Sequence, residues 1–338
     1  MNHMNQQLET NGSHINLTAT EISNVWASYL KNSMERRFFE YFLAKVEDVR
    51  IKQVIEKMLA KNISNMEELT VFFQEENIHI PRGFTEEDVS VGASKVFSDT
   101  FMLYFCYDIT MLSMSTYPSA LSDSSRNDIR AHFQRCLEYS TRVQNELTDL
   151  MLSLGVYLKS PQVTVDSQLD FVGHYVYLNG SIGEPRPLNT AEIANLTRIL
   201  HRAHFSKMIY VSFSQLAKTK KLKKHFSRGR DALQNVIDML DPILKEEDIP
   251  LSASGDYKMY DVEMPPFSEK LMLFFVNTCL GMFCFTMISQ AMASSLRSDI
   301  LLALNQITKD MKKFYGSSLL LTIQEQWLER PPQSVNKK

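Results

Sequence analysis

Apolar residues fall at helical spacing along most of the chain. After Thr18-Ala19-Thr20-Glu21, Ile22, Val25, Trp26, Tyr29 and Leu43 share one face. The tetrapeptide itself is a capping box, in which the threonine hydroxyl takes a free backbone N–H and the glutamate reaches back. A second helix is predicted over 49–77 from Ile51, Val54, Ile55, Met58, Leu59, Ile63, Met66, Leu69 and Phe73, with Pro81 and Gly83 beyond it. A third is predicted over 97–117 and closed by Pro118. A fourth, capped by Asp123 or Ser124, carries Ile129, Phe133, Cys136, Val143 and Leu147 and stops at Gly155.

The pattern then starts again. FSDTFMLYF at Phe97–Phe105 returns as FSEKLMLFF at Phe267–Phe275, with five of nine positions identical. Leu188–Ile193 answers Leu17–Ile22 at an offset of 171, and Glu246-Glu247-Asp248-Ile249 answers Glu75-Glu76-Asn77-Ile78. Arg297, Asp299 and Ile300 answer Arg126, Asp128 and Ile129. A period held this far is the mark of a duplication. Four helices per unit predict an all-α chain, a tandem duplication of an up-and-down four-helix bundle. The expected organisation is a polar flexible tail over 1–16, a bundle over 17–160, a linker over 161–187, a second bundle over 188–330 and a tail over 331–338. The linker is dense in Gly and Pro, with room for a short strand or helical turn at 171–178. The first 16 residues lack the charged-then-apolar layout of a signal peptide.

Composition narrows the function classes. Hydrophobic residues make up 44% of the 338, enough to bury a core in each half. A net charge of −3 does not suit a nucleic-acid binder. Cys106, Cys136, Cys279 and Cys284 all fall in predicted helices without a C-x-x-C pair, which fits reduced thiols and a cytoplasmic location. Leu271–Ala293 is apolar enough to cross a bilayer. Its counterpart carries Asp108 and ends in Pro118, so a helix buried among three others is expected instead, and no membrane span.

Several stretches resemble one family in its own order: Gly83-Phe84-Thr85-Glu86-Glu87-Asp88-Val89, Phe97-Ser98-Asp99, Arg186-Pro187-Leu188, Phe213-Ser214-Gln215-Leu216-Ala217, Phe226-Ser227-Arg228-Gly229, Pro266–Met272 and Trp327–Gln333. They span about residues 17–335. The family is number 3231 among the domains of unknown function, found mainly in spore-forming Gram-positive bacteria. The resemblance implies a pair of ferritin-like bundles and a tie to spores. It implies no activity.

A di-iron bundle needs one carboxylate from each of two helices and Glu-x-x-His from each of the other two, all pointing inward. The match here is Glu76–His79, at the end of the second helix, and its counterpart Glu247–Pro250 has no imidazole. His201 and His204 form an i, i+3 pair, with His204 expected on the buried stripe of Ile193, Leu196 and Leu200 and His201 to one side. Glu40 stands where a ferritin would place its first carboxylate, but Arg36 is four residues before it and Val211 replaces it in the second half. These five residues, Glu40, Glu76, His79, His201 and His204, are the metal candidates, and the count of inward carboxylates is too low for two divalent ions. Lys218, Lys220, Lys221, Lys223 and Lys224 form a basic cluster without interleaved aromatics, read as a solvated helix start. No phosphate loop, nucleophile elbow or zincin helix occurs. The chain therefore reads as a non-catalytic scaffold or interaction protein with no cofactor, working through a protein partner or self-association. The alternative is a ferritin-like metal-binding protein or oxidase with an atypical ligand set.

Overall fold

The computed structural model describes residues 16–180, 185–251, 258–260 and 264–334. All but the last residue of the expected tail 1–16 lies outside them. The described residues form eight long helices: α1 Ala19–Leu43, α2 Val49–Glu75, α3 Asp99–Ser122, α4 Asn127–Ser153, α5 Thr190–Leu216, α6 Lys220–Lys245, α7 Glu269–Ser294 and α8 Ser298–Gln324. The duplication holds at the level of single caps. Thr18 and Asn189 each close a capping box, and Ser98 and Ser268 each cap the third helix of their half. The left-handed residues Asn77 and Asp248 follow α2 and α6, and Gly155 and Gln326 follow α4 and α8.

Helix starts place the one-residue drift between the halves. The offset is 171 for α1, α2 and α4 but 170 for α3 (Asp99 to Glu269). The residue gained inside α7 is taken up by a π-helical turn at Val276–Leu280, whereas α3 runs without one. A single insertion in a helix is accommodated this way because one wider turn keeps both flanking segments in register with their neighbours.

Two expectations about helix ends are corrected. Pro118 lies inside α3, which continues to Ser122; this near the C-terminal end the missing N–H costs one i−4 bond and leaves only one turn of helix beyond it. Neither Asp123 nor Ser124 caps α4. Its N-cap is Arg126, and the carboxylate of Glu21 on α1 accepts the N–H groups of Ser125 and Arg126, each at 2.8 Å. Glu192 does the same for Leu296 and Arg297 at 2.9 and 3.0 Å. Of the two forms expected around 171–178, the helical turn is the one found, a 3₁₀ turn at Tyr175–Leu178.

The two halves also do not have a core each. One cluster of buried side chains runs through both, and a smaller one, including Val25, Trp26, Phe73 and Phe133, fills the far end of the first bundle. The repeated nonapeptides face each other across the junction. Phe97 stacks on Phe267 with ring centroids 6.4 Å apart, and Phe105 on Phe275 at 5.1 Å. Antiparallel bridges Val89–Phe267 and Phe97–Met259 relate the loops ahead of α3 and α7 by an approximate two-fold. The cause is in the pattern: Phe101–Cys106 is buried on every side, as is Leu271–Leu273 with Phe275 and Val276. A helix apolar all round needs cover all round, and three neighbours in one small bundle leave a face that the other half fills. That is how α7, apolar and long enough to span a bilayer, is packed here.

Close packing of α5 on α6 needs Gly229, where an added Cβ would lie 2.2 Å from the buried Tyr210 ring. Gly229→Ala is expected to destabilise by about 1–3 kcal/mol through overpacking. Gly316 in α8 has open space around it, so Gly316→Ala should stabilise by roughly 0.5–1 kcal/mol. Urea unfolding of the two variants checks both signs.

Candidate functional site

Of the five residues singled out as metal candidates, none meets another in a shared site. Glu76 turns away from His79: it accepts the Leu17 N–H at 3.3 Å and pairs with the Arg126 guanidinium. His79 is exposed and edges onto Trp26 with ring centroids 5.0 Å apart. Glu40 is held by Arg36 at 2.8 Å and Arg37 at 2.9 Å. His204 is exposed, contrary to its expected place on the buried stripe, while His201 lines a cleft. The reason is the period. Buried positions on α5 run Leu196, Ile199, Ala203, Ser206, Tyr210 and Phe213, alternating three and four, and this 3.5-residue row drifts away from the one that contains His204. The basic cluster is exposed, and Thr219 caps α6 while Glu269 accepts the N–H groups of Lys218 and Thr219 at 2.8 and 2.7 Å.

Glu76, Arg126 and Asp128 form an ionic bracket that ties α2 to α4, repeated as Glu247, Arg297 and Asp299 between α6 and α8. Both brackets lie at the same end of their bundle as Glu21 and Glu192. These residues mark the repeat in sequence; their mutual contacts are the structural reason.

Midway along the first bundle the interior is polar. Glu35 on α1 pairs with Lys31 at 2.8 Å and accepts from Asn62 at 2.9 Å. Asn65 donates to Asn32 at 3.2 Å, and Lys31 donates to Ser113 of α3 at 2.7 Å. On α4, His132 bridges the Glu68 carboxylate at 2.9 Å and the Cys136 sulfur at 3.6 Å. Asn62 and Asn65 have the i, i+3 spacing of a Glu-x-x-His pair and face the interior, but carry amides. Counterparts of Glu35, Asn62, Asn65, Glu68, His132 and Cys136 in the second bundle, Ser206, Leu233, Val236, Met239, Ala303 and Ile307, carry no charge, and Lys31 is answered by Arg202. Among the described residues, no three of His, Cys, Asp and Glu converge where they could share an ion.

These buried groups give stability a pH dependence. Burial would lower His132, but its bonds to Cys136 and Glu68 outweigh that and hold it up to about 9. Its contribution is full below the ordinary 6.5 and is lost as pH rises through about 9. Burial, with Arg228 nearby, lowers His225 from 6.5 to about 4, so its contribution is full above 6.5 and lost as pH falls toward 4. Burial raises Glu21 and Glu192, yet the N–H groups they accept, and Arg186 beside Glu192, bring both from 4.5 to about 2. Their contribution is present above 4.5 and lost as pH falls through about 2. Urea midpoints measured across this range should peak near 6.5 and fall on both sides. A midpoint that still climbs up to about pH 9 would contradict the role given to His132.

A cleft of about 250 Å³ lies at the junction of the halves. Tyr104, Tyr107, Asp108 and Met111 of α3 form one wall, and Arg198, His201, Arg202 and Phe205 of α5 the other. Tyr157 and Ser160, beyond α4, and Met287 of α7 complete it. Arg202 is ion-paired with Asp108 across the junction and stacks over Phe283 at 4.1 Å. Burial lowers Arg202 to about 10, still above neutrality, so its guanidinium keeps its charge. Sequence reasoning missed Arg198 and Arg202. The available signal was that Arg202 repeats the cation of Lys31 at an offset of 171.

Fold and interior together define a duplicated all-α bundle protein. The chain belongs to the family described as protein of unknown function DUF3231, whose profile matches twice, over residues 5–169 and 177–338. A comparison with curated proteins returns no match. A crystal structure from Bacillus halodurans C-125, of a protein provisionally called a spore coat protein, is similar over 46% of this chain and 100% of its own, at 16% identity and a TM-score of 0.41. At that score the likeness bears on neither fold nor function.

Proposed function

We propose that this protein is a non-catalytic helical scaffold that acts by holding a protein partner. The observation that carries this reading is the middle layer of the first bundle. Where a metal bundle has carboxylates and imidazoles, Asn62 and Asn65 offer neutral amides, and Glu35 is already neutralised by Lys31. Two divalent ions buried there would lack the negative charge they need. At the same level the second bundle has Ser206, Leu233, Val236, Met239, Ala303 and Ile307, with the cation Arg202 in place of Lys31, and none of these is a ligand for a divalent ion. Glu21 and Glu192 accept the N–H groups at helix starts, and Glu76 and Glu247 hold the ionic brackets, which suits a rigid framework.

The surface such a scaffold would offer is the linker. Leu169 and Phe171 are 87% and 82% exposed, and Val165, Val172, Tyr175 and Val176 are exposed with them. Apolar groups in this number along one segment suit contact with another protein. Elemental analysis of protein purified without a metal-affinity tag is the test. Substoichiometric iron, manganese and zinc are expected; about two equivalents of iron or manganese per chain would overturn the reading.

A further inference from the structure

We infer that the cleft between the two repeats binds a small organic carboxylate with an apolar body. This goes beyond the scaffold reading and does not depend on it. Size is the first argument. A dry cavity of about 150 Å³ accepts benzene, so about 250 Å³ suits a ligand of ~10 non-hydrogen atoms.

Charge is the second. Arg198 and Arg202 face one carboxylate, Asp108, which leaves a net positive charge in the cleft before His201 is counted. The Arg202 side chain is 9% exposed, and its Nε and Nη2 find no hydrogen-bond acceptor among the described residues. A buried guanidinium with unmatched donors favours a planar carboxylate over a neutral ligand. A doubly charged phosphate would meet Asp108. The remaining lining (Tyr104, Tyr107, Met111, Met151, Phe205 and Met287) has no charge and suits a hydrocarbon or aryl body. Ser160 and Arg198 stand at the solvent side, so the cleft can be entered.

The third argument is divergence between the repeats. Lys31, the counterpart of Arg202, is satisfied inside its own bundle by Glu35 and Ser113. Those partners are replaced by Ser206 and Cys284 around Arg202. In the first half, Ala27 and Leu30 stand where the second has Arg198 and His201, and the π turn containing Thr278 and Cys279 replaces the stretch around Asp108. A cation that has lost the within-bundle partners of Lys31, two further polar groups on the same face and an open cavity therefore occur together, among the described residues, on one side of the two-fold. A purely structural junction would have no need of that asymmetry.

The test is calorimetric titration of the full chain with benzoate, phenylacetate and 3-phenylpropionate, with 3-phenylpropanamide and inorganic phosphate as comparisons. Saturable binding of at least one carboxylate at one site per chain is expected, about tenfold or more weaker for the amide and for phosphate. Arg198→Ala/His201→Leu gives these positions the residues the first repeat already tolerates, and should keep the fold while weakening binding about tenfold. Arg198→Gln alone, at a half-exposed position, is the fallback and should weaken binding in the same direction. The inference is overturned if no carboxylate binds saturably, if the amide or phosphate binds as tightly, or if a folded variant binds unchanged.

Discussion

Arg297→Ala is expected to lower stability by about 3–5 kcal/mol, the largest loss of any single substitution considered for this chain. Arg297 is 1% exposed. Its guanidinium holds Asp299 through two bonds, at 3.1 and 2.7 Å, and Glu247 at 2.7 Å, and donates to the Arg186 carbonyl at 3.1 Å. Removing it leaves two carboxylates and a carbonyl facing a void, with the cost of an uncompensated charge added to that of a cavity. Arg297→Lys keeps the charge without the planar fork and should lose less. Arg126→Ala, in the equivalent bracket, should follow in the same direction but less steeply, because its side chain is 10% rather than 2% exposed. Urea unfolding followed by circular dichroism measures all three. A loss under about 1 kcal/mol for Arg297→Ala, as for an exposed ion pair, would mean the bracket does not hold α6 to α8.

Asp108→Ala ranks second and acts across the junction. It leaves the Arg202 guanidinium buried over the Phe283 ring without its counter-charge. Breaking a buried pair from one side costs about 3–5 kcal/mol, whereas replacing both partners by apolar groups is often close to neutral. Asp108→Ala/Arg202→Met should therefore recover most of the loss, and the cycle formed with the single variants gives the coupling between the halves. Additive effects would show that the pair does not bind them.

The parts of this structure that sequence reveals are those written in local spacing. Thr18 and Glu21 announce the start of α1 because a capping box closes within four residues. FSDTFMLYF and FSEKLMLFF align α3 with α7 because both must be apolar on every face. What covers those faces is not local: nothing in Phe97–Phe105 says that its partner is its own duplicate. Glu76 and Arg126 stand out as repeated residues, but their pairing joins positions 50 apart, so they read as markers before they read as a bracket. The polar layer was hidden for a different reason. Asn62 and Asn65 lie in line with Met58 and Leu69, yet amides at a core position look like breaks in a stripe unless their partners on α1 are known. His201 and His204 exchanged roles because a 3.5-residue row and a 3.6-residue row part within a few turns.

That the two repeats fold around one core is tested most directly by differential scanning calorimetry of the full chain. A single transition with equal calorimetric and van't Hoff enthalpies is expected, since Phe97, Phe105, Phe267 and Phe275 belong to one cluster and neither half buries its third helix alone. Two resolved transitions, each with the enthalpy of about half the chain, would contradict it.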